Sequence, residues 1–191
     1  MKRVIDFILA IICLILFSPL MAFCAIAIKR EDGLPVIYSQ ERIGRHGKPF
    51  MIYKFRTMKK NAEDGGIPKL VETPNEPRLT HIGAKLRKHH LDELPQLWNV
   101  VKGDMAFIGP RPERKYYIDK IMQHNPEYER LYALRPGVTS YATLYNGYAD
   151  TMEKMLRRLE LDLYYLQHHS LWMDASILFK TFLSIVSGKV F

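Results

Sequence analysis

Hydrophobic residues dominate the N-terminal part of the chain, where residues 7–28 carry no charge. A straight helix of that length would measure about 33 Å, close to the ~30 Å hydrocarbon core of a bilayer. Ser18 and Pro19 stand near the middle of this run. A proline there removes a helical hydrogen bond and favours a kink or a break. The pattern therefore predicts a membrane helix that is broken at Ser18-Pro19.

Two basic pairs flank the apolar run, Lys2-Arg3 before it and Lys29-Arg30 after it. Since the charges are balanced, the positive-inside rule gives no preferred direction to a helix that spans the bilayer. A helix that dips in and returns would leave both pairs on the cytoplasmic face. We therefore predict a re-entrant membrane helix in residues 1–30 and a cytoplasmic domain in residues 31–191, with a simple span as the alternative.

Shorter patterns fill the rest of the chain. Runs typical of β-strands at residues 36–39 and 50–55 predict a hairpin, and the polar residues 61–77 predict a loop. Helical patterns follow, of which the last is apolar and aromatic (residues 80–90, 115–134, 151–168 and 171–191). That last helix is expected either to pack as core or to lie in the membrane interface. The predicted fold class is α/β, mostly helical with a small β-hairpin or sheet, with an N-terminal re-entrant membrane helix and interfacial amphipathic helices.

Candidate chemistry is concentrated in residues 91–112. Asp92 and Glu93 precede a short helical pattern in which Asp92 is predicted to be the N-cap, Pro95 to lie in the first turn and Gly103 to end the helix. Carboxylates at the positive end of a helix dipole can be simple capping residues. A carboxylate held in its ionised form there is also what a nucleophile or a magnesium ligand requires. Both interpretations stay open at this point.

Several basic residues are candidates for binding phosphate. Pro110 and Pro112 restrict the backbone around Arg111 and fix where its guanidinium points, which suits a diphosphate, although residues 109–112 can equally form a plain rigid turn. The other candidates lie at the end of the predicted hairpin, on the following helix and in a later turn (Lys54, Arg56, Thr57, Arg87 and Arg135). A solvated surface is the alternative for these charges.

The composition and net charge of the chain limit the kinds of partner that it is expected to bind. The 191 residues are 48% hydrophobic, enough for the core of one domain, and the formal net charge is +8. Such a basic protein is expected to meet an anionic partner such as lipid headgroups, nucleotides or nucleic acid. The two cysteines, Cys13 and Cys24, both lie in the apolar run, which excludes a disulfide scaffold. The histidine pairs lack the spacing of a zinc site.

Six motifs follow one another in order between residues 18 and 137. They are the Ser18-Pro19 break and the runs at residues 54–58 (KFRTM), 91–96 (LDELPQ), 102–105 (KGDM), 109–112 (GPRP) and 135–137 (RPG). Together they resemble the bacterial sugar transferase family, the monotopic phosphoglycosyl transferases. Within that family the chain looks like one of the small members, which are little more than the catalytic domain and its membrane helix.

The resemblance implies an enzyme that moves a phospho-sugar from a UDP-sugar to polyprenol (undecaprenyl) phosphate. The reaction would take place at the cytoplasmic face of the bacterial inner membrane and begin the assembly of a glycan such as capsule, the O-antigen of lipopolysaccharide or a glycoprotein oligosaccharide. Asp92 would attack the β-phosphorus, form a phosphosugar-aspartyl intermediate and release UMP. Glu93 would either accept a proton or join Asp92 in holding Mg²⁺.

Further residues receive expected roles from the same resemblance. Arginines would clamp phosphates and the two loop prolines would shape the nucleotide pocket (Arg87, Arg111, Arg135, Pro110 and Pro112), with Lys54 and Arg56 as additional phosphate-binding residues. The expected partners are the donor, the acceptor and membrane lipids, with a homodimer left open and no nucleic acid.

One departure from the family pattern follows residues 135–137. Many members carry an arginine where this chain has Tyr148. We take this as a sign that sugar recognition differs from the commonest members, with an amino or deoxy sugar as the hypothesis. The alternative function is a membrane-tethered protein that binds anionic lipid or nucleic acid without catalysis; the scattered basic residues and the missing nucleic-acid module argue against it.

Overall fold

The computed structural model describes residues 2–60, 62, 76–147 and 149–187, which are mostly helical. The helices are α1 (Lys2–Asp32), α2 (His81–Lys88), α3 (Gln96–Lys102), α4 (Lys115–His124), α5 (Tyr141–Asn146), α6 (Met152–His168) and α7 (Leu171–Ser187). The strands are β1 (Ile37–Ile43), β2 (Pro49–Phe55), β3 (Ala106–Ile108) and β4 (Gly137–Thr139), and short 3-10 helices cover Arg45–Gly47, Leu91–Glu93 and Pro126–Ala133. The predicted mostly helical α/β class with small sheets is confirmed. Most of the loop predicted over residues 61–77 lies outside the described residues.

Helix α1 is long and apolar enough to cross a membrane by length and composition. It continues through Ser18 and Pro19, so the predicted break does not divide it into two helices. Pro19 has no N–H to give to the carbonyl of Ile15 one turn earlier. The hydroxyl of Ser18 donates to that carbonyl instead, at 2.8 Å. Ser18 therefore satisfies the acceptor that Pro19 leaves without a backbone partner.

Both ends of α1 pack against the rest of the protein, whereas its middle is exposed. Ala10, near the first end, is fully buried in a cluster with residues of β2 and α3. Ile28, near the other end, is buried in a cluster with residues of β2 and α2. Between them, Ile15 is 71% exposed and Leu16 is 67% exposed. The helix is therefore packed on one side near each end, while its central turns and outward-facing side chains nearer the ends, such as Val4 and Phe23, stay exposed.

Polar contacts hold the same two ends. At the N-terminal end, Lys2 pairs with Asp174 of α7 at 2.5 Å. At the C-terminal end, the carboxylate of Glu31 accepts the backbone N–H groups of His81 and Ile82 at 2.7 and 2.9 Å. Those two N–H groups begin α2, so the end of α1 caps the start of α2.

Two small sheets shape the region between the helices. Strands β1 and β2 form the predicted hairpin, antiparallel from Ile37 opposite Phe55 to Ile43 opposite Pro49. Strands β3 and β4 pair in parallel, which the sequence did not predict. Gly109 follows β3, and a Cβ there would lie 2.1 Å from the carbonyl oxygen of Arg135. Only glycine permits this approach, which brings residues 109–112 beside residues 135–137.

The main helical core lies between α4, the 3-10 helix Pro126–Ala133 and α6. The predicted helix over residues 115–134 ends early, because Asn125 caps a new turn by accepting the N–H of Glu127 at 3.0 Å. Helix α6 forms as predicted, with Met155 and Leu159 buried. Its N-cap is Thr151, whose hydroxyl accepts the N–H of Lys154.

Helix α7 exposes a row of aromatic side chains: Trp172, Phe179 and Phe182 are 84%, 63% and 62% exposed. Ile177 on the other face is buried with Ile108 and Tyr165. The helix is therefore amphipathic, and its contact with a membrane interface stays a prediction.

Candidate active site

Asp92 lies in the 3-10 helix Leu91–Glu93, which follows His90 in a left-handed conformation (φ 53°). The prediction that Asp92 is the N-cap of the next helix is wrong, because α3 begins only at Gln96, after Pro95. Gly103, with φ 91°, ends α3 as predicted. A separate tight turn, rather than a helix end, therefore carries the two acids.

The two acids face a cavity of about 490 Å³, a size typical of small-molecule sites. The hairpin, the 3-10 turn, the 109–112 loop and parts of α5 and α6 enclose it. Its lining brings together seven of the predicted site residues (Lys54, Arg56, Thr57, Arg87, Asp92, Glu93 and Arg111). Residues that are far apart in the sequence thus form one cavity, whose wall combines several basic side chains with the carboxyl groups of Asp92 and Glu93.

Glu93 is held between two cations. Lys54 Nζ donates to its Oε1 at 2.6 Å, and Arg111 Nη2 donates to the same oxygen at 3.2 Å. Burial alone would raise the pKa of Glu93, but Lys54 and Arg111 outweigh burial and hold that pKa well below its usual range. Glu93 is consequently a permanent carboxylate that fixes the positions of both cations.

Asp92 has a different environment although it is the adjacent residue. Its side chain is buried, and among the described residues none forms an ion pair with it or donates a hydrogen bond to it. Burial raises the pKa of Asp92 and the charge of Glu93 adds to this, while Lys54 and Arg87 oppose it. The expectation that a helix end keeps Asp92 ionised is therefore not met by the protein alone.

A further acid in the cavity wall, Glu113, was missed by the sequence analysis. Glu113 accepts from Arg42 Nη1 and from Arg158 Nη2, each at 2.7 Å, and all three line the cavity. Burial would raise the pKa of Glu113, but the two guanidinium groups lower it to about 2. No local spacing connects these residues, because the hairpin, the 109–112 loop and α6 bring them together only in the folded protein.

Asp162 on α6 was also missed. It is buried near the backbone of Arg111 and Ala142, and its Oδ1 has no hydrogen-bond partner among the described residues. Burial raises the pKa of Asp162 to about 7, although Arg158 acts against this. Unlike Glu113, Asp162 thus forms no ion pair with any described residue.

The remaining predicted residues lie in different places. Arg56 lines the cavity, but its Nη2 donates to the carbonyls of Asp32 and Gly33 at 3.0 and 2.9 Å, which ties it to the end of α1. Arg135 does not line the cavity; its Nε donates to the carbonyl of Gly103 at 3.0 Å.

The prolines of the predicted motifs fall into two groups. Pro110 and Pro112 are buried within the 109–112 loop, where the carbonyl of Pro110 accepts the N–H of Gly137 at 3.0 Å. Ser18 and Pro19 lie on the exposed middle of α1, away from the cavity.

The residues present suit a magnesium ion only together with a substrate. Among the described residues no group of three or more His, Cys, Asp or Glu side chains could hold a metal. Mg²⁺ usually binds through one or two carboxylates plus substrate phosphates, and Asp92 at the cavity wall provides such a carboxylate. Glu93 Oε1 is already occupied by Lys54 and Arg111. The donor set therefore fits an ion that Asp92 and a bound diphosphate would share.

Comparison with known proteins agrees with this geometry. Residues 1–188 match the bacterial sugar transferase family. The chain is 41% identical over 98% of its length to a UDP-N-acetylgalactosamine-undecaprenyl-phosphate N-acetylgalactosaminephosphotransferase of Aeromonas hydrophila, covering 44% of that protein. It is 39% and 40% identical, over 95% and 97% of its length, to UDP-glucose:undecaprenyl-phosphate glucose-1-phosphate transferases of Escherichia coli and Caulobacter vibrioides, covering 39% and 70% of them.

The chain thus spans less than half the length of the first two relatives, and in all three comparisons the similarity covers almost all of its own residues. The similar region includes the acid pair, the cations around it and the apolar helix α1. On these grounds the chain belongs to the bacterial sugar transferase family.

Proposed function

We propose that the protein transfers a phospho-sugar from a UDP-sugar to undecaprenyl phosphate. The observation that carries the proposal is a buried carboxylate, Asp92, in the wall of a cavity to which Lys54, Arg87 and Arg111 contribute positive charge. A carboxylate and a diphosphate repel each other, so a reaction between them needs such cations. The names of the relatives, which join a UDP-sugar to undecaprenyl phosphate, support the same substrates.

The proposed first step is covalent. An Oδ of Asp92 forms a bond to the β-phosphorus of the donor, the bond from that phosphorus to the bridging oxygen breaks, and its electron pair leaves on UMP. An oxygen of undecaprenyl phosphate then attacks the same phosphorus and restores the Asp92 carboxylate. The contrast with Glu93 supports this choice of nucleophile, since two cations bind Glu93 and none of the described cations forms an ion pair with Asp92.

Glu93 is assigned to positioning rather than to proton transfer. A carboxylate whose pKa lies far below its usual range is a weak base. Its contacts with Lys54 and Arg111 instead hold two cations at the wall where the diphosphate would lie. Arg87 supplies further positive charge close to Asp92.

Magnesium is part of the proposal. Asp92 would hold the ion together with the donor phosphates, and when bound it would neutralise charge on the phosphoryl oxygens and favour the ionised form of Asp92. Since the protein alone raises the pKa of Asp92, a cation at this position is the simplest way to obtain a nucleophilic carboxylate near neutral pH.

We further propose that α1 enters the membrane and returns, so that residues 1–30 form a re-entrant anchor. Contacts at both of its ends support this, because Ala10 and Ile28 pack against the same body of the protein while Ile15 between them is exposed. A helix that spans the bilayer would place its two ends on opposite sides. The cavity would then lie at the cytoplasmic face of the inner membrane, next to the lipid phosphate of the acceptor.

For the sugar and the pathway, we propose only a class of donor and a class of product. The relatives are named for N-acetylgalactosamine and glucose, and both are hexoses linked to UDP. Tyr148, on which the expectation of an unusual sugar rests, lies outside the described residues. The product, a polyprenol-linked phospho-sugar, would begin a surface glycan, and a homodimer stays a prediction.

Release of UMP tests the reaction. The full chain, purified in detergent, is incubated with undecaprenyl phosphate, Mg²⁺ and a panel of UDP-sugars, and UMP is measured. Asp92→Asn should reduce the rate by about 10³-fold or more, because the amide cannot act as the nucleophile. The control is Asp119→Asn, an exposed aspartate paired with Lys115, which should leave the rate unchanged. Absence of UMP with every donor would favour the non-catalytic binding protein.

The covalent step has its own test. Protein incubated with the active donor alone is digested, and the mass of the peptide that contains Asp92 is measured. We expect this peptide to gain the mass of the phospho-sugar. An unchanged peptide under conditions that support turnover would exclude the covalent route and leave direct transfer.

A further inference from the structure

Arg135 lies outside the cavity, at the C-terminal end of α3, and a second arginine meets it there. Arg135 Nε donates to the carbonyl of Gly103 at 3.0 Å. Arg3 of α1 donates to the carbonyls of Val100 and Val101 at 2.5 and 2.8 Å. Its Nη2 lies 3.1 Å from the position that a Cβ on Gly103 would occupy. Two guanidinium groups thus converge on the last turn of one short helix.

A third arginine completes the group. Arg45, in the turn of the hairpin, donates its Nε to the carbonyl of Ala133 at 3.1 Å, two residues before Arg135. Partial burial lowers the pKa of Arg135, and the charges of Arg45 and Arg3 lower it further. Arg3 and Arg45 are therefore each close enough to Arg135 to repel its charge. We refer to Arg3, Arg45 and Arg135 as the arginine cluster.

The surrounding acids do not neutralise the arginine cluster. Among the described residues, none forms an ion pair with any of its members. The nearby Asp104 is paired with Lys102 at 3.0 Å, and Asp6, which attracts Arg135 weakly, is buried in α1. Carbonyls at a helix C-terminus attract one cation, but three like charges at one place repel each other. A bound anion would offset that repulsion.

The position of the arginine cluster indicates which anion. Arg3 stacks over the ring of Phe7 with its Cζ 5.6 Å from the centroid, and Val4 and Phe7 are 61% and 42% exposed. These apolar side chains begin the helix that, by the proposed function, enters the membrane. The cluster therefore lies where α1 passes the headgroup layer, which is the depth of lipid phosphates.

We propose that the arginine cluster binds the phosphate of an anionic membrane phospholipid. None of its three residues lines the cavity around Asp92, so this site is separate from that of the donor diphosphate. Guanidinium groups suit phosphate because their donors match its oxygens in pairs. A lipid held here would fix the depth of the N-terminal end of α1 and, through α3, the level of the cavity relative to the acceptor's phosphate.

Native mass spectrometry of the full chain in detergent, titrated with dioleoyl phosphatidylglycerol, tests the proposal. The wild type should retain one lipid that binds more tightly than the rest. Arg45→Gln and Arg135→Gln should each weaken its binding about fivefold, the usual contribution of one basic residue at a lipid surface. Arg45→Lys, which keeps the charge, should weaken lipid binding less than Arg45→Gln does. Arg130→Gln removes an exposed arginine paired with Glu127 and should bind like the wild type.

Two results would overturn the proposal. Equal lipid binding by the wild type, the two glutamine variants and Arg130→Gln would show that the arginine cluster is no lipid site. Displacement of the lipid by millimolar inorganic phosphate would show that the site takes free phosphate instead. Thermal melting of Arg135→Gln controls for folding, and Arg45→Gln, with its single exposed contact, gives the same answer if Arg135→Gln fails to fold. The number of bound lipids is measured without the reaction, whereas the proposed function is tested by UMP release. Failure of one can therefore be distinguished from failure of the other.

Discussion

Asp92 and Glu93 are adjacent and both poorly accessible to water, but their pKa values move in opposite directions. The difference lies in direct contacts. Glu93 touches Lys54 and Arg111, whereas among the described residues no cation lies within ion-pair distance of Asp92. Burial dominates where charge contacts are absent, and two direct cations outweigh it.

A second pair of acids, Glu113 in the cavity wall and Asp162 on α6, shows the same contrast. Glu113 and Asp162 both lie near Arg158, and both are buried. Arg42 and Arg158 contact Glu113 directly and lower its pKa to about 2. Asp162 forms no ion pair with any described residue, and burial raises its pKa to about 7.

The comparison separates two uses of a buried acid. Glu93 and Glu113 are bound by two cations each and therefore hold the walls of the cavity together. A carboxylate that already binds two cations has little remaining capacity to bind an incoming ligand. Asp92 has none of these partners, so it is the acid that a phosphate-bound cation or a phosphorus atom can engage. Three substitutions test this division.

Of the three substitutions, Glu113→Gln should have the largest effect, a loss of folding stability. The substitution keeps the size of the side chain but leaves the guanidinium groups of Arg42 and Arg158 buried without their carboxylate. Breaking a buried ion pair from one side typically costs about 3–5 kcal/mol. The free energy of unfolding, measured by urea denaturation in detergent, should fall by that amount. Glu127→Gln, at an exposed pair, should change it by less than about 0.5 kcal/mol, and equal effects of the two variants would contradict a structural role for Glu113.

Lys54→Met should mainly affect catalysis. Lys54 is the cation nearest to Glu93 and also opposes the raised pKa of Asp92. We expect kcat/KM for UMP release to fall about 10²-fold, the usual cost of one electrostatic group in a site. The acidic limb of the pH–rate profile should also move to higher pH, because both carboxylates lose a stabilising charge. A matched variant, Lys115→Met at the surface, should keep the rate and the profile of the wild type, and an unshifted profile in Lys54→Met would refute the link to Asp92.

Part of this site could be predicted from the sequence because the signals are local. Adjacent acids, a loop stiffened by Pro110 and Pro112 and a helix-ending Gly103 can be recognised without a fold, and the structure brings Lys54 and Arg111 to Glu93. The family resemblance added the roles. The fold class followed from the same local patterns.

The remaining features depend on contacts between distant segments. Glu113 meets Arg42 and Arg158 only when the hairpin, loop and α6 pack together. Arg135 does not line the cavity because its side chain donates to the carbonyl of Gly103, and the parallel strands β3 and β4 are too short to have a clear sequence pattern. The left-handed His90, which starts a separate turn and displaces Asp92 from the N-cap position, also has no sequence signal.

Asp162→Asn should have the smallest effect, visible as a change in pH dependence. Asp162 has a pKa of about 7 in the folded protein against 3.8 as the reference value for the unfolded chain. Between these values the folded state binds a proton that the unfolded state does not, so stability is greater at low pH and falls as pH rises towards 7. From pH 5.5 to 7.0 the wild type should lose about 2 kcal/mol of unfolding free energy through this group. The stability of Asp162→Asn should not show this pH-dependent loss, although its dependence on every other titrating group should be unchanged. If the two proteins instead have parallel curves of stability against pH, Asp162 is ionised throughout this range. A buried acid would then stay charged here without direct contact with a cation.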